Sequence, residues 1–189
     1  MREIPEGVRT EVYYYYHYQS PIGRLTLASN EQSIVGLWMD QQRYYMDILE
    51  GQECREEETA VICQAEKWLD QYFRQEKPAL EELPIEWIGS DFRKQVWQLL
   101  AEVPYGETVT YGDIARQIAR QRGVEQMSAQ AVGGAVGRNP ISIIIPCHRV
   151  VGSGGSLTGY SGGIRTKLRL LELEGAEIAK RFTEEEEKK

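Results

Sequence analysis

Residues 110–136, TYGDIARQIARQRGVEQMSAQAVGGAV, decide how the second half of this chain is built. Ile114, Ala115, Ile118 and Ala119 recur at helical spacing, and Thr110 with Asp113 three residues on has the form of a capping box. Arg122-Gly123 interrupts the run, and Ser128 stands where an N-cap would start a further helix over 129–136. A helix, a short connection and a second helix outline a helix-turn-helix. In the second helix Gly133 and Gly134 each cost about 1 kcal/mol of helix propensity relative to alanine. Small residues allow close backbone approach, by another helix or by a nucleic-acid groove. Spacing alone does not choose between the two.

Working outward, Ser90 reads as the N-cap of a helix over 91–102 with Phe92, Val96, Trp97, Leu99 and Leu100 facing inward. Val103-Pro104-Tyr105-Gly106-Glu107 ends it in a turn. On the other side, Ile143-Ile144-Ile145 reads as a short buried strand, and Pro146 should end it and hold Cys147 at its mouth. The thiolate is the nucleophile of cysteine chemistry, and a neighbouring histidine, here His148, favours it. A buried free cysteine is ordinarily inert, so the hexapeptide Ile145–Val150 takes its meaning from its company. That company includes the glycine-rich loop Leu157-Thr158-Gly159-Tyr160-Ser161-Gly162-Gly163, which reads equally as a pocket wall or as a hairpin and its exit. A last helix over Ile164–Glu174 should bury Leu168, Leu170 and Leu171, and the charged end, 179–189, should be disordered.

The first half has a different pattern. Val12–Tyr18, Arg24–Ala28 and Ser33–Trp38 alternate between turn signals, which predicts an antiparallel meander. The tyrosine run 13–16 suits sheet packing better than a base-stacking platform. From Thr59, Val61, Ile62, Ala65, Trp68, Leu69, Tyr72 and Phe73 make one apolar helical face, preceded by Glu56-Glu57-Glu58, whose charge suits a helix N-terminus. Two prolines, mixed charges and Gly89-Ser90 in 75–90 predict a boundary between domains at 1–88 and 89–178. The class is α+β.

The chain of 189 residues carries a net charge of −7, unevenly spread. Residues 1–90 hold 8 Lys/Arg and 17 Asp/Glu, whereas residues 91–180 hold 11 and 8. Screening limits electrostatic reach to about 8 Å at physiological salt, so a mildly basic second half can bind DNA beneath an acidic first half. Three cysteines, Cys54, Cys63 and Cys147, form no disulfide framework and suggest a reducing, cytoplasmic setting. With two histidines they form no metal-ligand pattern, so no metal is expected. No apolar run reaches membrane-spanning length, and Met1–Pro5 lacks a signal-peptide core.

Taken together, Val103–Glu107, Tyr111, Ala131–Ala135, Asn139-Pro140, Ile145–Val150, Gly159–Gly163 and Glu174-Gly175 resemble the O6-alkylguanine-DNA alkyltransferases. Several motifs in order make the resemblance specific; it covers roughly the last half of the chain. It implies a ribonuclease-H-like sheet domain followed by a winged helix-turn-helix-like DNA-binding domain. It also implies a monomeric suicide repair protein that needs no cofactor. An alkyl group on guanine O6, and on thymine O4, would pass irreversibly to Cys147 after the base is flipped out of double-stranded DNA. By position, His148 would be the base, acting through a water, and Glu174 would orient it. Tyr111 would rotate the nucleotide and hydrogen-bond the guanine with support from Lys167. Asn139 would hold the active-site turn, and Val150, Tyr160, Ser161 and Gly162 would border the base. Ala129, Gln130, Ala131, Gly133 and Arg138 would face the minor groove.

One position departs from the family, which commonly has an arginine where Gln130 stands. Glutamine is uncharged but keeps two donors and an acceptor, so weaker DNA binding is expected unless Arg138 compensates. Gly162 suggests space for alkyl groups larger than methyl. A helix-turn-helix regulator would leave Pro146-Cys147-His148-Arg149 and Glu174 without use. A cysteine hydrolase would need a histidine remote in sequence, and the other histidine, His17, lies in the tyrosine-rich strand.

Overall fold

The computed structural model describes residues 11–186; the signal-peptide expectation for Met1–Pro5 lies outside them. The first half folds as strands β1 (Val12–Ser20), β2 (Gly23–Ser29), β3 (Ile34–Met39) and β4 (Glu53–Glu56), followed by helix α1 (Ala60–Phe73). The sheet order is β3-β2-β1-β4. The first three strands form the expected antiparallel meander, with Tyr16 opposite Leu27 and Leu27 opposite Leu37. The fourth, which the periodicity did not reveal, runs parallel to β1 with Tyr14 opposite Arg55. This corrects the wholly antiparallel expectation, and it moves Glu56 into a strand. Glu57 then donates its N–H to Tyr15 O at 3.1 Å, and the first turn of α1 holds no acidic residue. Thr59 caps α1 by accepting from Ile62 N at 3.2 Å.

Every residue of β3 is buried, because both faces of the sheet are covered. One face packs Leu25, Leu27, Ile34, Leu37 and Met39 against Ile62, Leu69 and Tyr72 of α1. The other forms a smaller cluster of Tyr13, Ala28, Val35, Trp38 and Leu49. The Trp38 ring lies over Gly36, where an added Cβ would fall 1.8 Å from the indole, so only glycine fits.

The second half holds α2 (Asp91–Ala101), β5 (Val109–Thr110), α3 (Tyr111–Arg122), α4 (Ala129–Gly137), β6 (Val150–Val151), α5 (Ile164–Leu173) and α6 (Glu177–Glu186). The caps read from sequence are in place. Ser90, Thr110 and Ser128 accept from Arg93 N, Asp113 N and Ala131 N, and Asp113 completes the Thr110 box. Gly123 ends α3 in the left-handed conformation. The small second sheet is a two-residue parallel pair, Val109 opposite Val150. The tail expected to be disordered from 179 is helical as far as Glu186, because Ala179 is buried beside Leu171 and Ala176, with Ile178 and Phe182 packed on them. Residues 187–189 lie outside the described residues.

The apolar core runs through both halves, joining β2, β3 and α1 to Val96, Trp97, Ile114, Val132 and Ile145. Trp97 Nε1 donates to Ala135 O at 2.9 Å and ties α2 to α4. No helix among the described residues is long and apolar enough to cross a membrane.

Candidate active site

Ile143-Ile144-Ile145 is not a strand. Residues 142–145 form a turn in which Ile143 takes φ +69°, a region β-branched residues enter only under strain, and Cys147–Arg149 form one 3-10 turn. Side-chain bonds replace the ladder that a strand would need. Asn139 Nδ2 donates to Ile145 O at 2.8 Å, and Asn139 Oδ1 accepts from Ile141 N at 3.0 Å. The end of β3 completes the clamp, since Leu37 N donates to Pro140 O at 2.8 Å and Ser142 N donates to Leu37 O at 2.9 Å. A turn packed against a sheet edge therefore presents the thiol.

Cys147 is 2% exposed. Burial pushes its thiol up, while Asn139, the Lys167 ammonium and Ser142 pull it back. His148 is fully buried, and Nε2 lies 2.7 Å from Glu174 Oε1. A carboxylate only accepts, so Nε2 carries the proton and Nδ1 is the acceptor of the neutral ring. Nδ1 has no hydrogen-bond partner among the described residues. Burial lowers the His148 pKa against the opposing pull of Glu174, so the ring is neutral at pH 7.

Glu174 is the hub. Beyond His148 it accepts from Arg149 Nε (2.9 Å) and Nη2 (3.0 Å), from Tyr72 OH (2.7 Å) and from Gly106 N (3.1 Å). Burial alone would raise its pKa; His148 and Arg149 outweigh burial and hold it well below the carboxylate range. The sequence motifs single out Glu174 and His148, whereas they give Arg149 no role and present Tyr72 only as part of an apolar helical face. No local signal marks either contact, because 25 and 102 positions separate them from Glu174.

The 157–163 loop forms no strand and so is not a hairpin, and its Gly159 lines a cavity beside Tyr111. The Tyr160 hydroxyl faces Cys147, and burial, then the negative charge of a Cys147 thiolate, pushes its pKa well above the ordinary value. Lys167 is fully buried, with Nζ donating to Val150 O at 2.5 Å and Thr158 O at 3.1 Å; burial pushes its pKa down to about 8. Tyr111 OH reaches the same Thr158 carbonyl at 3.3 Å, so the two donors meet over one backbone oxygen. Ser161 O accepts from Arg43 N at 3.3 Å. At Gly162 the expected free space is occupied. An added Cβ would fall 2.6 Å from Met39 Cε and 2.9 Å from the Tyr160 ring, so Met39 of β3 fills that volume.

Ala129, Gln130 and Ala131 are exposed, and Gly133 is partly exposed; a Cβ added there would meet the Tyr111 ring at 3.8 Å. No helix among the described residues covers this small-residue face. A cavity of about 760 Å³ opens beside it, lined by Tyr111, Arg116, Ala129, Gln130, Gly133 and Gly159 among others. Arg138 is not part of that face. It ends α4, eight residues and about 12 Å from Gln130, where its guanidinium stacks 4.0 Å over Tyr44 and pairs with Asp47 at 3.4 Å. At the start of α1, Glu58, Cys63 and Glu66 bring metal-ligand-type atoms within 4.8 Å of one another, a grouping the sequence spacing did not suggest.

Residues 13–87 match the ribonuclease-like domain of 6-O-methylguanine DNA methyltransferase, and residues 91–176 match its DNA binding domain. The methylated-DNA–protein-cysteine methyltransferase of Haemophilus influenzae is 38% identical over 161 residues, covering 85% of this chain and 86% of that protein. The one from Mycobacterium leprae is 42% identical over 166 residues, covering 87% and 93%. The crystal structure of Mycobacterium tuberculosis OGT in complex with DNA superposes with a TM-score of 0.70 at 40% identity, covering 85% of this chain and 92% of that one. Two matches that together span almost all the described residues, and relatives aligned over most of their own length, place this chain in the 6-O-methylguanine DNA methyltransferase family.

Proposed function

We propose that this protein repairs alkylated DNA by direct reversal, taking the alkyl group from guanine O6 in double-stranded DNA onto Cys147, once per molecule. The observation that carries this reading is the buried Cys147 turn, flanked by the His148–Glu174 pair and roofed by Tyr160 and Lys167. Beside it runs the uncovered small-residue face of α4.

The steps follow from the donors present. The minor groove accepts α4 through Ala129, Gln130, Ala131 and Gly133, and the damaged nucleotide leaves the stack, because an alkyl carbon inside a duplex cannot be reached in line. As the base enters, the Cys147 proton passes through a water to His148 Nδ1, the acceptor of the neutral ring. Glu174 stabilises the imidazolium and keeps Nε2 protonated. The sulfur pair attacks the alkyl carbon, the carbon–O6 bond breaks, and its electrons stay on guanine. Tyr111 and Lys167 offset that charge, with Ser161 at O6 and Val150 bordering the base. The thioether has no return path, so the reaction is single-turnover and needs no cofactor. The protein acts as a monomer.

The test is the intact mass after exposure to duplex carrying O6-methylguanine. A gain of one methyl on the Cys147 peptide, absent in Cys147→Ala, is the expected result. Repeated turnover would indicate a hydrolase, and binding without adduct a regulator; either outcome overturns the reading.

A further inference from the structure

Tyr72 lies on α1, far in sequence from every residue given a role above, yet its hydroxyl reaches their centre. It donates to Glu174 Oε1 at 2.7 Å, the same oxygen that His148 Nε2 contacts at 2.7 Å, and it stands 3.5 Å from that nitrogen. The ring is held on three sides. It stacks on Trp68 (5.6 Å, 7°) and meets the edges of Phe73 (5.2 Å) and Tyr105 (5.9 Å), leaving 1% of the residue exposed. Burial, then the Glu174 charge, raises the hydroxyl far above its ordinary pKa, so it remains a donor.

We propose that Tyr72 is a positioning residue for alkyl transfer, sharing the Glu174 carboxylate with His148 so that the imidazole stays neutral and able to take the thiol's proton. The inference rests on the relay proposed above. A carboxylate oxygen that accepts a second hydrogen bond gives up less of its charge to the first donor. Burial opposes the charged form of His148 most, Glu174 favours it, and Arg149 and Lys167 oppose it; the bond that Tyr72 donates to Glu174 weakens the pull of that carboxylate. Facing Tyr72 itself are Glu174, Arg149 and Tyr105. Without the hydroxyl, Glu174 keeps both Arg149 bonds and the Gly106 bond, so Tyr72→Phe alters the charge balance and leaves the carboxylate in place.

Histidine carbon-13 NMR suits the test, because His17 and His148 are the two histidines of the chain. His17 sits on β1, bonded to Thr26 at 3.0 Å, and reports on the fold. In Tyr72→Phe the His148 titration should move up by about 0.5–1 pH unit. The acid limb of the single-turnover rate should move with it, a loss of about 3- to 10-fold below that limb. An unmoved His148 titration with His17 in place overturns the proposal, as does an equal rate loss at every pH. If His17 is displaced as well, 3-fluorotyrosine at position 72 decides the matter. It keeps the ring and strengthens the donor, so the His148 titration must move down, and no movement overturns the proposal. Failure of the relay looks different. His148→Gln would then transfer at the parent rate, while the NMR shift would still judge Tyr72.

Discussion

Arg149 grips Glu174 with two parallel bonds, Nε to Oε2 at 2.9 Å and Nη2 to Oε1 at 3.0 Å, in a buried setting. Arg149→Leu leaves the carboxylate without its fork, and breaking a buried pair from one side costs about 3–5 kcal/mol. The urea midpoint at pH 7 should fall accordingly. Glu174 titrates below its unfolded value, so its contribution to stability is complete above about pH 4.3 and fades as pH falls below it. The variant should therefore lose part of the parent's stability slope below pH 4. Arg149→Lys keeps the charge but not the planar fork and should recover only part of the loss.

Lys167 carries a charge that both eases thiol ionisation and is costly to bury. Lys167→Met removes a cationic pull on Cys147, so the single-turnover rate at pH 7 should drop by about 10-fold and its optimum should turn alkaline. Stability gives a second reading. With a folded pKa of about 8 against about 10.4 unfolded, the unfolded chain binds more protons between those values. The parent should thus gain stability as pH rises through that window, and Lys167→Met should not.

Met39 and Gly162 occupy one volume, so their substitutions should couple. Gly162→Ala pushes a methyl against Met39 Cε and the Tyr160 ring, overpacking worth about 1–3 kcal/mol. Met39 is flexible at its tip, and Met39→Ala in the same chain should recover much of that cost, giving a non-zero coupling in a double-mutant cycle. Met39→Ala alone should raise the rate with O6-benzylguanine relative to O6-methylguanine. An unchanged ratio would show that the 39 side chain does not bound the alkyl group.

Gln130 stands exposed at the start of α4, on the wall of the groove beside Tyr111. Gln130→Arg should tighten DNA binding and steepen the dependence of log affinity on log salt by about 0.9 for one added phosphate contact. A cation at a helix N-terminus opposes the dipole by about 0.3–1 kcal/mol, a loss to be seen in thermal melting and not in binding. Equal affinity across a salt series would show that position 130 does not meet the backbone. Arg138, engaged with Asp47 and Tyr44, should not substitute for it, so Arg138→Ala should leave the salt slope unchanged.

Elements set by neighbours three or four residues away could be read from the chain alone. The caps at Ser90, Thr110 and Ser128 and the apolar faces of α1, α2 and α3 are of this kind, since one side chain and one nearby N–H are enough to start a helix. The motif Pro146-Cys147-His148-Arg149 stands out in the sequence as well, but its conformation does not. Three isoleucines carry strand propensity, yet Asn139 and the end of β3 supply the backbone partners a strand would have used, and the segment becomes a turn. β4 escaped notice because its short charged segment pairs with a strand more than thirty residues earlier. Tyr72 on Glu174, Arg149 on Glu174 and Met39 over Gly162 join residues that become neighbours only when the sheet, α1 and the 3-10 turn bury their apolar surfaces together. Local hydrogen bonding is written into short stretches of residues; which distant side chains share a buried charge depends on how whole faces pack, and only the folded molecule decides that.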